Sequence, residues 1–91
     1  NKIIKLLDGY IENNEIFFVT PYVKHDKFVN FFRILKMKEI KHYMYSLLES
    51  LSILEENCVI HKDVKPDNFL FSLETLNGVL IDFGISHCDL P

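Results

Sequence analysis

The sequence lacks the features that mark several special classes of protein. No apolar run approaches the roughly 20 residues that a membrane-spanning helix needs, and no basic segment followed by an apolar one marks a secretory signal. The two cysteines, Cys58 and Cys88, are isolated and form no CxxC pair, which favours reduced thiols over a disulfide framework. His87 and Cys88 offer only two zinc ligands, too few for a structural zinc site.

Positive charge is not in excess either. The 91 residues carry 10 Lys and Arg against 13 Asp and Glu, for a formal net charge of -3. With 48% hydrophobic residues, this is an ordinary globular composition that indicates neither disorder nor nucleic-acid binding. Because the chain begins at Asn1 and ends at Pro91 with no capping signal near either end, we expect a piece of a longer protein.

Apolar patterns predict the elements of the first half. The runs at 3–7 and 16–19 flank a turn-forming IENNE segment and predict an antiparallel pair of strands. A short helix is predicted from Asp26 to about Leu35, with Asp26 near its cap. A longer, core-facing helix is predicted from about Lys38 to Glu56. Its apolar stripe consists of Ile40, Tyr43, Met44, Leu47, Leu48, Leu51 and Leu54. The basic cluster beside it is typical of a solvated face and contains Lys36, Lys38 and Lys41.

A hairpin is predicted after the polar segment IHKDVKPDN at 60–68. Its strands are expected at 69–72 and 79–82, with a turn through Glu74–Gly78 in which Asn77 and Gly78 supply positive φ. Centred near Thr75, this hairpin would place Asn68 and Asp82 opposite each other at its open end. Cross-strand neighbours lie about 4.5–5.5 Å apart. An amide oxygen and a carboxylate so placed predict a site for Mg²⁺ that also retains water and phosphate.

The loop before the hairpin adds residues suited to phosphoryl transfer. Asp63 lies five residues before Asn68, Pro66 stiffens the path between them, and an extended segment places Asp63 and Lys65 on one side. A carboxylate can accept a hydroxyl proton, while a neighbouring ammonium holds the transferring phosphate. Gly84 adopts backbone angles denied to other residues, so the segment after Asp82-Phe83 is expected to swing.

The pattern HxDxKxxN followed by DFG resembles the catalytic and metal-binding loops of eukaryotic protein kinases. The resemblance implies an α+β, protein-kinase-like fold, present in part: residues 1–19 as N-lobe strands, 20–25 as the hinge and 26–91 as part of the C-lobe. It also implies ATP and Mg²⁺ as cofactors. Asp63 would be the catalytic base and Lys65 would contact the γ-phosphate, while Asn68 and Asp82 would bind the metal. Lys65 favours a serine/threonine enzyme.

The same resemblance assigns the nucleotide-binding residues. FVTPYV resembles the hinge, so Thr20 would be the gatekeeper, backbone groups of Pro21 and Val23 would meet the adenine edge, and Leu70 would lie under the ring. The plain alternative is that Thr20 and Val23 finish a strand. Three residues would pack as a spine between loop, helix and strand: His61, Phe83 and Leu6.

The stretch from Pro21 to Phe71 further resembles the cell-division-cycle-seven family, nuclear kinases that trigger DNA replication by phosphorylating the MCM helicase. This resemblance implies a nuclear location, MCM subunits as protein substrates and an activating regulatory subunit, without direct binding to nucleic acid or membrane. Casein kinase I is the alternative family, because KPDNFL is similar to its loop, although its hinge differs from TPYVKHD. A pseudokinase scaffold is a further alternative.

Some features depart from the kinase pattern. Lys62 stands where the motif usually has Arg and lacks the planar fork that grips a phosphate in two places. Thr20 is smaller than the gatekeeper expected of the replication kinase. Residues 1–91 contain no glycine-rich loop, strand lysine or partner glutamate. We therefore expect this piece alone to have no kinase activity and to bind ATP poorly.

Overall fold

Two asparagines reverse the chain in the first hairpin. The computed structural model describes residues 2–88 and pairs β1 (Asp8–Glu12) with β2 (Glu15–Val19) in antiparallel fashion. Asn13 and Asn14 have φ of 51° and 64°, as two-residue hairpin turns require. The predicted pair of strands is confirmed, but the position of the first strand at 3–7 is wrong. The Asn13-Asn14 turn fixes the register and recruits Asp8–Glu12 instead.

Two helices follow: α1 (Phe28–Phe31) and α2 (Met37–Glu56). The long helix is confirmed, whereas the short one is shorter than predicted and Asp26 does not cap it. The Asp26 carboxylate accepts a hydrogen bond from Leu73 N at 2.8 Å, and Asp26 N donates to Phe71 O at 2.9 Å. Asp26 is therefore used to attach this segment to a later part of the chain, and α1 begins after Lys27 without a side-chain cap.

Two more antiparallel pairs lie after α2: β3 (Val59–Ile60) with β6 (His87–Cys88), and β4 (Phe69–Ser72) with β5 (Asn77–Leu80). The predicted hairpin and its first strand are confirmed, with Ser72 opposite Asn77. The position of its second strand at 79–82 is wrong, because the turn ends at Leu76 and the strand begins at Asn77. The predicted positive φ at Asn77 and Gly78 is wrong, because Leu76 adopts it, with φ of 56°. Gly78 is required for another reason: a Cβ there would overlap the ring of Phe69.

The core lies between α2 and the β4–β5 hairpin. Its buried apolar residues are Phe31, Leu54, Phe69, Phe71 and Leu80. The ring of Tyr43 lies 5.0 Å from that of Phe69 and 5.1 Å from that of Phe71, measured between centroids. Burial in this aromatic cluster raises the pKa of the Tyr43 phenol above its usual value of 10.0.

The predicted stripe of α2 is confirmed in part. Four of its members lie in the core or pack against it: Tyr43, Leu47, Leu51 and Leu54. Three are exposed: Ile40, Met44 and Leu48. Serines line the closest approach to other segments, since Ser46 Oγ accepts from Gly78 N at 2.9 Å and Ser50 Oγ donates to Lys2 O at 2.8 Å. The two serines therefore belong to the buried face of the helix, and the three exposed apolar residues lie outside it.

The apolar run at 3–7 meets the β4–β5 hairpin instead of pairing along β2. Ile4 N donates to Leu80 O at 3.0 Å, and Leu80 N donates to Lys2 O at 2.9 Å. Only Leu7 continues the first hairpin, through a 2.8 Å bond from its N–H to Val19 O. The run therefore joins the first hairpin to the core. Across residues 2–88, no helix is both long and apolar enough to cross a membrane.

Candidate active site

The loop after β3 places two predicted site residues, Lys65 and Asn68, next to the carboxylate of a third, Asp63. Asn68 is only 5% exposed, and its Nδ2 donates to Asp63 O at 2.9 Å and to Asp63 Oδ2 at 3.1 Å. Lys65 Nζ lies 3.8 Å from Asp63 Oδ1. Pro66 opens a 3₁₀ turn in which Asn68 N donates to Lys65 O at 2.9 Å, and this turn brings Asn68 back towards Asp63. The expected proximity of Asp63 and Lys65 is confirmed.

His61 holds the backbone of this loop. Its ring is 2% exposed, with Nε2 2.7 Å from Ile81 O and Nδ1 3.1 Å from Asp63 N. Because a carbonyl oxygen only accepts, we assign the proton to Nε2, which leaves Nδ1 to accept from the Asp63 N–H. The ring also meets Phe83 edge-on at 4.7 Å between centroids, so the predicted packing of these two residues is confirmed. His61 thus links the loop to the exit of β5.

The register of the β4–β5 hairpin does not place Asp82 opposite Asn68. Ile81 N donates to Asn68 O at 2.9 Å, so Ile81 is the residue opposite Asn68. The prediction that Asp82 would lie there is wrong, because the reversal that pairs Ser72 with Asn77 sets this register. Asp82 instead turns the chain with φ of 59°, and its Oδ1 accepts from Gly84 N at 3.3 Å. The left-handed conformation therefore occurs at Asp82 and not at Gly84. A metal shared by Asn68 and Asp82 stays a prediction.

The predicted hinge residues line one cleft. Thr20, Pro21, Val23 and Leu70 all border a cavity of about 540 Å³, and Asp82 borders it too. Clefts of roughly 300–1,000 Å³ are typical of small-molecule sites. Two separate stretches of the chain, the hinge segment and the β4–β5 hairpin with its exit, therefore enclose the same space.

His25 belongs to this cleft but was not predicted. Its Nδ1 lies 2.7 Å from Val23 O, so the ring donates to that carbonyl and occupies this acceptor of the hinge segment. Nothing in the sequence distinguishes His25 from an ordinary surface histidine.

A second cavity of about 600 Å³ adjoins the first and shares Thr20 and Asp82 with it. It extends to Leu6, Phe83 and Gly84. Leu6 is 58% exposed, so it faces the same cavity as Phe83 without being enclosed, and its spine role stays a prediction. Four residues line both cavities: Ile4, Phe18, Thr20 and Asp82. The gatekeeper role of Thr20 stays a prediction.

The site contains oxygen ligands but no cluster of the kind that binds metal by protein groups alone. Within residues 2–88, no three His, Cys, Asp or Glu side chains lie close enough to hold an ion. Because the amide nitrogen of Asn68 is engaged by Asp63, the amide oxygen is the atom left for a cation. Asn68 and Asp82 suit Mg²⁺ only if phosphate and water complete its coordination.

Comparisons with known proteins agree with this geometry. The protein kinase domain family matches residues 1–88. The chain is similar to the probable serine/threonine-protein kinase cdc7 of Dictyostelium discoideum, 38% identical over 73 residues that cover 80% of the chain and 7% of that protein. It is 41% identical over 75 residues to the non-specific serine/threonine protein kinase Cdc7 of Drosophila melanogaster, covering 81% of the chain and 11% of the relative.

A human relative, the cell division cycle 7-related protein kinase, is 31% identical over 75 residues, which cover 82% of the chain and 13% of that protein. The chain therefore spans a small part of the length of each of these relatives.

Proposed function

The chain belongs to the protein kinase domain family, and from this premise we propose that it supplies the hinge, catalytic loop and DFG segment of an ATP-dependent protein serine/threonine kinase. The observation that carries the proposal is the arrangement around Asp63: one half-exposed carboxylate contacted by Lys65 at 3.8 Å and by the buried amide of Asn68 at 3.1 Å. A solvated turn would not require a buried asparagine whose amide donates a hydrogen bond to a single carboxylate.

Asp63 is suited to accept the proton of a substrate hydroxyl. It is open enough to meet a serine or threonine side chain, while its backbone is held by His61 and its carboxylate is oriented by Asn68. Orientation of this kind contributes to rate because the base needs no rearrangement when the hydroxyl arrives. Lys65 contributes a positive charge on the same side, where negative charge on a transferring phosphate is stabilised.

ATP and Mg²⁺ fit the residues that are present. The hinge cleft has apolar walls at Val23 and Leu70 suited to a purine. The backbone N–H of Val23 would donate to the edge of that purine. Asn68 and Asp82 would hold Mg²⁺ against the phosphates. When bound, the nucleotide supplies the phosphoryl group and the ion neutralises its charge.

The test is phosphate transfer by the full-length protein from radiolabelled ATP to serine- and threonine-containing substrates, with Asp63→Asn against Asp67→Asn. Asp67 is an exposed carboxylate in the same loop, so Asp67→Asn is a control with the same chemical change. We expect Asp63→Asn to lower kcat about 10²–10⁴-fold, which is the usual contribution of general base catalysis. Asp67→Asn should leave kcat close to the wild-type value. Equal effects of the two variants, with both proteins folded, would refute the proposal.

The finer function that we propose is that of the replication kinase. Similarity to relatives named cdc7 and cell division cycle 7-related protein kinase supports it. On this proposal the protein is nuclear, requires an activating regulatory subunit and phosphorylates MCM helicase subunits. Purified MCM subunits belong among the substrates of the assay above, with casein as the comparison. Faster transfer to casein than to MCM subunits would count against the replication role while leaving the kinase proposal intact.

A further inference from the structure

A basic and apolar surface lies at the start of α2, at the closed end of the β4–β5 hairpin. Residues 27–41 hold five of the 10 lysines and arginines of the chain but only one of its 13 acidic residues. Apolar side chains are exposed among these cations, with Ile34 67% and Met37 64% accessible. We call this set the basic apolar surface: Arg33, Ile34, Lys36, Met37 and Lys38.

A cleft of about 360 Å³ lies within this surface. Ile34 and Leu35 from the connection between the helices form one wall, and Leu73 and Leu76 from the hairpin turn form the other. Three charged residues also border the cleft: Lys38, Glu39 and Glu74. Contiguous exposed apolar patches with a polar rim are typical of sites of protein interaction. The cleft has room for one or two apolar side chains of another molecule.

The two carboxylates that border the cleft are already engaged. Glu39 accepts a hydrogen bond from Lys36 N at 2.9 Å, which caps α2, and Glu74 Oε2 lies 3.4 Å from Lys24 Nζ. The ion pairs found in residues 2–88 do not include Arg33, Lys36 or Lys38. Glu74 is therefore paired with Lys24, and Arg33, Lys36 and Lys38 outnumber the one remaining carboxylate, Glu39. This excess of positive charge favours a negatively charged occupant.

We propose that the basic apolar surface docks an acidic segment of a protein partner, which inserts an apolar side chain between Ile34 and Leu73 and places carboxylates over Lys36 and Lys38. A nucleic acid fits less well, because it offers no aliphatic group for the cleft. The remainder of the chain, which carries 12 of the 13 acidic residues, would also repel its phosphates.

The occupant would leave the candidate active site open. The cleft lies at the turn of the hairpin, whereas Asn68 and Ile81 lie at its open end. Strands of four residues, at about 3.3 Å per residue, separate the two ends by roughly 13 Å. Docking here would hold a partner near Asp63 without covering it, and this inference stands whether or not the kinase proposal is correct.

The test is fluorescence anisotropy with the full-length protein and three labelled probes. The first is a synthetic peptide of leucines flanked by glutamates, the second is the same peptide with lysines for glutamates, and the third is a single-stranded oligonucleotide of equal negative charge. We expect the acidic peptide to bind best and Ile34→Ala to weaken it. Lys38→Glu should weaken it about tenfold, because an attractive charge at the rim becomes a repulsive one.

The matched control is Lys5→Glu, an equal change of net charge at an exposed lysine outside this surface. Lys38→Glu is expected to fold, because a carboxylate in the first turn of α2 is favoured by the helix dipole. The proposal is overturned by tighter binding of the basic peptide or of the oligonucleotide, or by equal effects of Lys38→Glu and Lys5→Glu. It is also overturned if the acidic peptide does not bind, the result expected when another segment of the same protein covers the cleft.

Discussion

At the scale of single residues, the candidate site is predictable where the partners are close in sequence. Asp63 and Lys65 are two positions apart, so their spacing alone indicated that they would lie on one side of the segment. The hydrogen bond from Asn68 to Asp63 needs the 3₁₀ turn at Pro66, which the spacing did not predict. Asp26 illustrates the opposite case, because its carboxylate bonds to Leu73, 47 residues away, and not to the helix that follows it. A short polar side chain next to a helix start is a good cap on local grounds, and only tertiary structure reveals a stronger use.

Ser46 provides a test of such a distant contact. Its hydroxyl is 2% exposed and is the hydrogen-bond partner of the Gly78 N–H, which points away from the ladder towards α2. Ser46→Ala should lower the free energy of unfolding by roughly 1–3 kcal/mol, because it leaves a buried N–H without an acceptor. Urea unfolding of the full-length protein measures this loss.

Ser52→Ala is the control for Ser46→Ala, since Ser52 is exposed on the same helix. Surface substitutions of this kind usually change stability by less than about 0.5 kcal/mol. If the two variants unfold at the same urea concentration, the bond from Gly78 to Ser46 contributes nothing measurable and the account of this contact is wrong.

At the scale of elements, the sequence predicted which segments form strands and helices better than where each one begins. Both hairpins and the long helix were expected, because apolar periodicity and turn residues are local signals. The register was harder to predict, since it depends on which residues adopt positive φ. Asn13 and Asn14 do so as expected for their type, but Leu76 does so where Asn77 and Gly78 were the natural candidates. That one difference places Ile81, and not Asp82, opposite Asn68.

Gly78 and Gly9 make a matched pair for testing why glycine is present in a strand. Neither has positive φ, but a Cβ at Gly78 would overlap the Phe69 ring, whereas a Cβ at Gly9 would have ordinary contacts at 3.7 Å. We expect Gly78→Ala to destabilise the protein by about 1–3 kcal/mol through overpacking. Gly9→Ala should be neutral or stabilising by up to about 1 kcal/mol, because alanine loses less entropy on folding. Thermal unfolding of both variants measures the difference, and a Gly78→Ala protein as stable as wild type would contradict the tight fit.

At the scale of the whole molecule, the described residues form a cleft that is well defined on one side. Thr20, Val23, Leu70 and Asp82 come from segments more than 40 residues apart, so the cleft follows from the tertiary fold and was expected only through resemblance to kinases. All residues of β1 and β2 are exposed, including Ile11 and Phe18. A hairpin with this much accessible apolar surface is typical of one that packs against further structure.

Residues 1–91 expressed alone are therefore expected to transfer no phosphate and to bind ATP weakly. The hinge cleft can contact the purine, but the sequence has no glycine-rich loop and no strand lysine to hold the phosphates. Isothermal titration with ATP measures the first property, and transfer of labelled phosphate measures the second. Asp63→Asn in the same polypeptide is the control, because it separates intrinsic turnover from that of a contaminating kinase. Turnover that Asp63→Asn removes would show that the loop around Asp63 positions ATP without those phosphate-binding elements. That result would contradict the expectation that residues 1–91 alone are inactive.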